Sequence, residues 1–104
     1  MADDPAVRWV DNSNEQRYEL FRDGVRVGLT TYILAPGEIT FLHTEIDPEY
    51  QGQGLASELA AAVLDDARRR HLVVHPRCPF IRRYIRRHPE YADLVAAGFD
   101  LHAG

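Results

Sequence analysis

The chain has 104 residues, of which 45% are hydrophobic and 27% charged, a composition typical of one globular domain with a single modest core. No apolar run approaches the roughly 20 residues that a membrane-spanning helix needs, and the acidic start Met1–Pro5 is unlike a signal peptide. The single Cys cannot form an internal disulfide and fits a reducing compartment. Residues 1–104 are therefore expected to be one cytoplasmic domain without a membrane partner.

The net charge of −4 is unevenly distributed along the chain. Residues 1–67 carry 13 acids and four Arg, whereas residues 68–104 carry eight Arg and three acids. A basic half favours an anionic ligand, and Arg binds phosphate well because its planar guanidinium offers two parallel donors. An Arg-rich nucleic-acid binder is an alternative, but the acidic total and the lack of aromatic residues alternating with these arginines argue against it.

The first half of the chain has the alternation and the turns of β-strands. After seven residues that are expected to be frayed, strands are predicted over 7–10, 17–22, 25–33 and 38–46. The dipeptide Asp23-Gly24 is a strong hairpin signal, so the last three strands are expected to form an antiparallel meander. In strand 38–46, the period of two predicts one face for four residues, namely Ile39, Phe41, His43 and Glu45.

The second half of the chain alternates helix and strand signals. Apolar residues at helical spacing predict a helix over about 54–70, with Asp65 and Asp66 on its solvent side. The apolar run 72–75 predicts a buried strand that lies parallel to strand 38–46, because a helix connects the two. Pro79 favours the start of a second helix, and Pro89 should stop it.

A glycine turn, which includes Gly52 and Gly54, joins strand 38–46 to the first helix. The two glycines allow positive φ and close approach of a ligand, while the first helical turn offers unpaired amides and the positive end of the helix dipole. These features suit phosphate. A Walker loop is excluded because the chain has no Lys, and a dinucleotide-binding loop needs three spaced glycines. The structural alternative is a tight turn whose glycines serve packing.

Cys78 lies at the predicted start of the second helix, between Arg77 and Pro79. A thiol in this position lies at the positive end of the helix dipole, which favours the reactive thiolate form. His75, three residues earlier, could act as the base for that thiol. The alternative is a small buried hydrophobe, as lone cysteines commonly are.

His43 and Glu45 lie just before the glycine turn, at the carboxyl end of a strand, where open α/β sheets bind their ligands. Either side chain could accept a proton from an incoming amine as a general base. The alternative roles are a structural His in the sheet and an acidic partner for the helix N-terminus. The five His and the one Cys have no metal-ligand spacing, so no metal site is predicted.

The pattern Gln51-x-x-Gly54-x-Ala56 resembles the pyrophosphate-binding loop of the GCN5-related N-acetyltransferases. The ordered series His43-Thr44-Glu45-Ile46, Gln51 to Ala56, Pro76-Arg77-Cys78-Pro79-Phe80 and Tyr84 to Tyr91 resembles the minimal, very short members of that superfamily. The resemblance covers about residues 16–95. It implies an α/β (α+β) acyltransferase fold, with a mixed, mainly antiparallel sheet and two principal helices, and acetyl-CoA or CoA as the ligand.

The resemblance also implies roles for individual residues. The backbone near Glu45 and Ile46 would pair with the pantetheine arm of the cofactor, and Phe80 and Tyr84 would border it. The pyrophosphate would be held by seven consecutive residues, Gln51, Gly52, Gln53, Gly54, Leu55, Ala56 and Ser57. Cys78 takes the position of the proposed catalytic thiol of the minimal family, where larger superfamily members usually have a Tyr as general acid.

These features predict a small acetyltransferase that moves the acetyl group of acetyl-CoA to an amine of an unassigned small molecule or protein. The transfer would go directly, with Glu45 or His43 as base, or through an acetylated Cys78. A CoA-binding regulatory module without catalysis is the main alternative. The exposed edges of a short meander would allow a weak homodimer besides a monomer.

Overall fold

A computed structural model describes residues 7–102, so the frayed start predicted for residues 1–7 lies outside the described residues except for Val7. Five strands form one sheet in the order of the chain. They are β1 (Val7–Asn12), β2 (Arg17–Arg22), β3 (Val25–Ala35), β4 (Glu38–Ile46) and β5 (Val73–Pro76). Strands β1 to β4 are antiparallel neighbours, which confirms the predicted meander and extends it by β1. Strand β5 is parallel to β4, as predicted.

Two α-helices follow β4 and β5. Helix α1 (Leu55–Arg69) begins directly after the glycine turn and links the two parallel strands, and α2 (Pro79–Arg87) begins at the predicted proline. Proline at this position loses no hydrogen bond, since the first amide of a helix has no intrahelical acceptor. Three short 3-10 turns complete the elements, at Ser13–Glu15, Pro48–Tyr50 and Pro89–Leu94. Within residues 7–102, no helix has both the length and the apolar composition that a bilayer crossing requires.

One hydrophobic core joins the sheet to both helices. The strands contribute Tyr18 and Phe41, α1 contributes Leu59, and α2 contributes Ile81 and Ile85, all without exposed surface. Full burial of an aliphatic side chain of this size contributes about 1.5–3 kcal/mol to the free energy of folding. The helices therefore hold β4 and β5 from one side, and the site is built where those two strands end.

A β-bulge interrupts the pairing of β3 with β4. Thr31 lies opposite His43, but the next residue, Tyr32, lies opposite Phe41, so Leu42 is an extra residue in β4. Because side chains alternate along a strand, one inserted residue exchanges the two faces beyond it. The alternation of residues along the sequence does not reveal such an insertion.

The bulge at Leu42 overturns the face predicted for β4. The predicted common face consisted of Ile39, Phe41, His43 and Glu45. Only the first two face the core and are buried, whereas His43 and Glu45 lie beyond the bulge and are exposed. In their place Thr44 and Ile46 turn towards the core and are half-buried.

Five side chains near the junction of β1, β2, β3 and α1 form what we call the buried polar cluster, consisting of Asp11, Tyr18, Tyr32, Asp66 and Arg70. Tyr18, Tyr32 and Asp66 are buried, and the other two are half-buried. The Tyr18 hydroxyl donates to Asp66 Oδ2 at 2.7 Å. Arg70 Nη1 donates to Asp66 Oδ2 at 3.2 Å and to Asp11 Oδ2 at 3.3 Å. The prediction that Asp66 lies on the solvent side of α1 is wrong, because this residue is only 3% exposed. Its hydrogen bonds with Tyr18 of β2 and with Arg69 and Arg70 at the end of α1 permit the burial, and the helical period alone cannot reveal the contact with Tyr18.

Each of three titratable groups in the buried polar cluster is held in one protonation state. Burial raises the pKa of Tyr18 and of Tyr32, and hydrogen bonds to carboxylates act in the same direction. Burial by itself would raise the pKa of Asp66, but hydrogen bonds from Tyr18, Arg69 and Arg70 outweigh that effect and the pKa is lowered. The phenols therefore stay protonated and the carboxylate stays charged at neutral pH.

Candidate active site

A cleft of about 140 Å³ lies between the end of β4, the glycine turn and the start of α1. We call it the phosphate-loop cleft. It is lined by Ile46, Tyr50, Gln51, Gly52, Gly54, Leu55, Ala56, Ser57 and Phe80. All predicted cofactor-binding residues except Gln53 and Tyr84 thus border one cavity.

The shape of the glycine turn explains why glycine occurs at two of its positions. Gly52 has φ of +82° and Gly54 has φ of +80°, in the left-handed region that other residues rarely adopt. A Cβ at either position would meet no atom within 4 Å, so the constraint is conformational rather than a lack of space. The side chain of Gln51 donates to the carbonyl of Ile46 at 3.0 Å and ties the turn to β4.

The first turn of α1 contributes a positive electrostatic potential to the phosphate-loop cleft. Amides at the start of a helix have no intrahelical acceptor, and they lie at the positive end of the helix dipole. Leu55, Ala56 and Ser57 contribute this first turn to the cleft wall. Across the cleft, the guanidinium of Arg83 lies 5.7 Å from the ring centre of Phe80, which adds a positive charge beside the wall. This arrangement suits an anion such as pyrophosphate.

The two parallel strands separate next to the cleft. Pairing of β4 with β5 ends at Phe41 and Pro76, where the amide of Cys78 donates to the Phe41 carbonyl at 2.8 Å. Residues 43–46 of β4 continue to pair with β3 beyond the bulge, but among the described strands none pairs with the other edge of residues 42–46. An unpaired strand edge of this kind accepts an extended ligand through main-chain hydrogen bonds.

Cys78 lies at the N-cap of α2, as the sequence predicts, but inside the core. It is 1% exposed, and Sγ lies 3.3 Å from Thr44 Oγ1, a contact in which either atom can donate. The Thr44 hydroxyl in turn lies 3.0 Å from Thr30 Oγ1. Of the described side chains, only the Thr44 hydroxyl lies within hydrogen-bonding distance of the sulfur. His75, which the sequence suggested as its base, binds Glu38 Oε1 through Nε2 at 2.7 Å instead.

His43 and Glu45 form an exposed pair on the opposite face of the sheet. His43 Nε2 lies 3.0 Å from Glu45 Oε2, and both side chains are more than half exposed. Neither lines the phosphate-loop cleft, yet both flank the main chain of β4 that leads to Ile46. A ligand lying along the unpaired edge of β4 would therefore be accessible from the face that carries these two side chains.

Two predicted cofactor residues lie outside the phosphate-loop cleft. The side chain of Gln53 accepts a hydrogen bond from Arg22 of β2. Tyr84 stacks on His88 with ring centres 3.9 Å apart, and burial raises the pKa of Tyr84. The structure brings neither of them to the cavity wall.

Sequence reasoning missed the hydroxyl contact of Cys78 and a cleft larger than the phosphate-loop cleft. Thr44 reaches Cys78 only because of the bulge, and no signal in the sequence marks an inserted residue. A second, larger cleft of about 560 Å³ lies where β5 ends, away from the glycine turn. Within residues 7–102, no group of three or more His, Cys, Asp or Glu side chains could hold a metal ion.

The sequence matches a known protein family and, over part of its length, several known proteins. A family model described as GCN5-related N-acetyl-transferase matches residues 17–94. Proteins called Protein NATD1 from Gallus gallus, Mus musculus and Homo sapiens are 38% identical over 47 residues, which is 45% of this chain. The aligned segment covers 43% of the first two proteins and 42% of the third, so the chain spans less than half the length of these relatives.

Two solved structures share the fold. The ribosomal-protein-S18-alanine N-acetyltransferase from Escherichia coli has a TM-score of 0.53 at 22% identity, over 64% of this chain and 40% of that one. The ribosomal-protein-alanine N-acetyltransferase from Brucella melitensis biovar Abortus 2308 has a TM-score of 0.51 at 20% identity, over 79% of this chain and 64% of that one. At these identities the likeness concerns the fold. Because the family model spans most of its length, this chain belongs to the GCN5-related N-acetyltransferase family.

Proposed function

We propose that this protein transfers the acetyl group of acetyl-CoA to an amine. The observation that carries the proposal is the phosphate-loop cleft, in which the glycine turn, the first turn of α1 and the end of β4 border one cavity. Family membership supports acetyl transfer as the class of reaction, and the cleft supports CoA as the carrier. A cytoplasmic location and a monomer or weak homodimer remain part of the proposal.

The glycine turn and the first turn of α1 would hold the CoA pyrophosphate. Gly52 and Gly54 leave the main chain open to a ligand, and the amides of Leu55 to Ser57 supply donors at the positive end of the helix. Arg83 beside Phe80 adds a nearby cation. These groups are neutral or positive, so a doubly charged pyrophosphate would be bound without an opposing carboxylate in the cleft wall.

The pantetheine arm would lie along the unpaired edge of β4. Its amide groups can continue the sheet in the way an added strand does, with residues 42–46 as partners. This path leads from the phosphate-loop cleft towards Phe41 and Cys78, where β4 and β5 meet again. The thioester would then lie next to the face that carries His43 and Glu45.

Direct transfer requires a proton acceptor for the amine. The amine nitrogen forms a bond with the carbonyl carbon of the thioester, the carbon–sulfur bond breaks, and the proton that leaves the nitrogen ends on the CoA thiol. The His43–Glu45 pair can relay this proton, since both side chains are solvent-accessible and lie 3.0 Å apart. We therefore assign the role of base to this pair.

Transfer through an acetylated Cys78 is the second route. The amide of Cys78 donates a hydrogen bond to the Phe41 carbonyl. The sulfur is buried beside the Thr44 hydroxyl rather than beside a base. These contacts favour the direct route, although a thioester bound along β4 would come close to the sulfur. Mass spectrometry of the intact protein distinguishes the two routes, because only the covalent route places an acetyl group on Cys78.

The first test concerns CoA binding. The exposed residue Ser57 lines the cleft, and Ser57→Glu adds a carboxylate where a pyrophosphate would bind. Calorimetry should give a dissociation constant for CoA at least about tenfold higher, because like charges at close range cost more than about 1.4 kcal/mol. Ser13→Glu makes the same change at the other serine of the chain, which is exposed and outside the cleft, and should leave the affinity unchanged. Equal affinities of the two variants would contradict the proposed site.

The second test concerns the route of transfer. Intact-protein mass spectrometry after mixing with acetyl-CoA should reveal no acetyl group on Cys78, and Cys78→Ala should keep its turnover with amines. Glu45→Gln should lower kcat by about 100-fold, as expected for loss of a general base, with CoA affinity unchanged. An acetyl adduct that requires Cys78 and disappears when an amine is added would establish the covalent route instead.

A CoA-binding module without catalysis is the second candidate function. Two observations together favour it: Cys78 is 1% exposed, and neither His43 nor Glu45 lines the phosphate-loop cleft. This candidate predicts that CoA binds in the phosphate-loop cleft while no amine is acetylated. Turnover of any amine that is sensitive to Glu45→Gln would exclude it.

A further inference from the structure

The larger of the two clefts described above lies on the other side of the β4–β5 junction from the phosphate-loop cleft. It has a volume of about 560 Å³, within the range of sites for small molecules. We call it the basic groove. Its walls are formed by Glu38, Thr40, His75, Arg77, Arg82 and Phe99. None of these residues takes part in the phosphate-loop cleft.

Two arginines supply the positive charge of the basic groove. Over residues 7–102, no carboxylate lies within 4.0 Å of the Arg77 or the Arg82 guanidinium, whereas Arg68 and Arg70 each have a carboxylate partner. Opposite these cations, His75 and Glu38 are paired at 2.7 Å, so the groove offers a polar acceptor as well as positive charge. Two free guanidinium groups beside a paired carboxylate match a ligand that carries both an anionic group and an amine.

The basic groove and the proposed proton acceptor lie on one face of the sheet. Thr40 lies before the bulge at Leu42 and alternates with buried residues, so it faces away from the core. The bulge reverses this alternation, so His43 faces away from the core as well. The two residues are then about two strand steps apart, roughly 7 Å along β4. A small molecule in the groove could therefore present its amine at His43 and Glu45.

We propose that the basic groove binds the acetyl acceptor, and that this acceptor is a small amine bearing a carboxylate or a phosphate group. Arg77 and Arg82 bind the anionic group, and the Glu38–His75 pair orients the chain that carries the amine. This inference rests on the proposed acetyl transfer for its function, but the binding of an anionic amine in the groove can be measured by itself.

The test uses O-phosphoethanolamine as a probe and ethanolamine as its matched counterpart without the anionic group. Both are titrated into the CoA-saturated protein, and amide shifts are followed by NMR. O-phosphoethanolamine should bind saturably and shift the amides of His75, Arg77 and Arg82, and ethanolamine should bind at least about tenfold more weakly. Acetylation of the two amines by acetyl-CoA should show the same preference in kcat/KM.

Arg77→Gln and Arg82→Gln should each weaken O-phosphoethanolamine binding about tenfold, as expected for loss of one charged hydrogen bond. Arg87→Gln removes the same charge from an exposed position of α2 outside the groove and should have no effect. Because Arg77 is exposed, its variant should fold normally, and thermal unfolding checks this. Unchanged binding in both groove variants, or equal affinity for ethanolamine, would overturn the proposal.

The two proposals fail in different ways. If CoA does not bind in the phosphate-loop cleft, the acetyl-transfer proposal fails, and this inference fails with it as an acceptor site. If CoA binds and amines are acetylated but O-phosphoethanolamine shifts only the amides of the glycine turn, the groove proposal alone fails.

Discussion

Charged side chains behave differently at the two ends of the sheet. In the buried polar cluster at β1 to β3, Asp66 and Arg70 are in mutual contact and are further bound by Tyr18. At the end of β5, Arg77 and Arg82 line an open groove with no carboxylate of residues 7–102 within ion-pair distance. Arginine occurs in both regions, but one region pairs it with carboxylates and the other leaves it open to solvent.

The comparison separates charges that hold the fold from charges that can bind. An ion with several buried partners cannot be removed without leaving the others unpaired, so its main role is stability. An ion at the surface with no protein partner contributes little to stability and keeps its hydrogen-bonding capacity for another molecule. Arginine content alone therefore does not indicate the site.

Asp66→Asn should have the largest effect on stability. The change removes the negative charge that Arg70 and Arg69 contact, and it leaves the buried Tyr18 hydroxyl and the half-buried Arg70 poorly satisfied. Urea denaturation should give a loss of about 3 kcal/mol in the free energy of unfolding. Asp93→Asn is the matched control, since Asp93 pairs with Arg68 at the surface, and it should cause no measurable change. Similar losses in the two variants would break the comparison.

Acid should remove the same contribution by protonation. The folded-state pKa of Asp66 is below its ordinary value of 3.8, so its stabilising effect is complete above pH 3.8 and is lost as the pH falls through the lower, folded value. Glu19, whose pKa is lowered by Arg17 and Asn12 against the effect of burial, adds to this loss. The unfolding free energy of the natural chain should fall below about pH 4. Asp66→Asn should have a shallower acid slope, and an equal slope would contradict this assignment.

Gly28→Ala should have a smaller effect on stability. Gly28 lies where the core meets the phosphate-loop cleft. A Cβ at Gly28 would lie 2.5 Å from Ile46 Cδ1 and 2.9 Å from the carbonyl oxygen of Glu45. Overpacking of this kind costs about 1–3 kcal/mol, and thermal unfolding should detect it. CoA affinity should fall as well, since Ile46 lines the phosphate-loop cleft. Adding Ile46→Val, which removes Cδ1, should recover part of the lost stability, and no recovery would show that the carbonyl contact dominates.

Arg77→Gln should have the smallest effect on stability. The guanidinium has no carboxylate partner among residues 7–102, so its removal should change the free energy of unfolding by less than about 0.5 kcal/mol. Chemical denaturation checks this value. A loss comparable to that of Asp66→Asn would mean that Arg77 holds the fold, and the distinction between the two regions would fail.

The local elements could be predicted from the sequence because their signals are local. Strand alternation, the Asp23-Gly24 hairpin and Pro79 each act within a few residues, and β2, β3 and α2 begin as expected. The glycine turn was equally readable, since positive φ at Gly52 and Gly54 is a property of the residues themselves. The ordered motifs then indicated the family, which the family model confirms.

The tertiary structure decided which side chains face the core and which face the clefts. The insertion of Leu42 turned His43 and Glu45 away from the core and brought Thr44 to Cys78, because a bulge depends on pairing with β3. The burial of Asp66 depended on Tyr18, 48 positions away in the chain.

The sequence by itself determined the main helices and strands, the glycine turn and the family. Only the tertiary structure decided which faces meet, where the phosphate-loop cleft and the basic groove open, and that Arg77 and Arg82 have no carboxylate partner among residues 7–102. The physical reason is that backbone preferences are encoded over a few residues, whereas the environment of a side chain is set by elements distant in the chain.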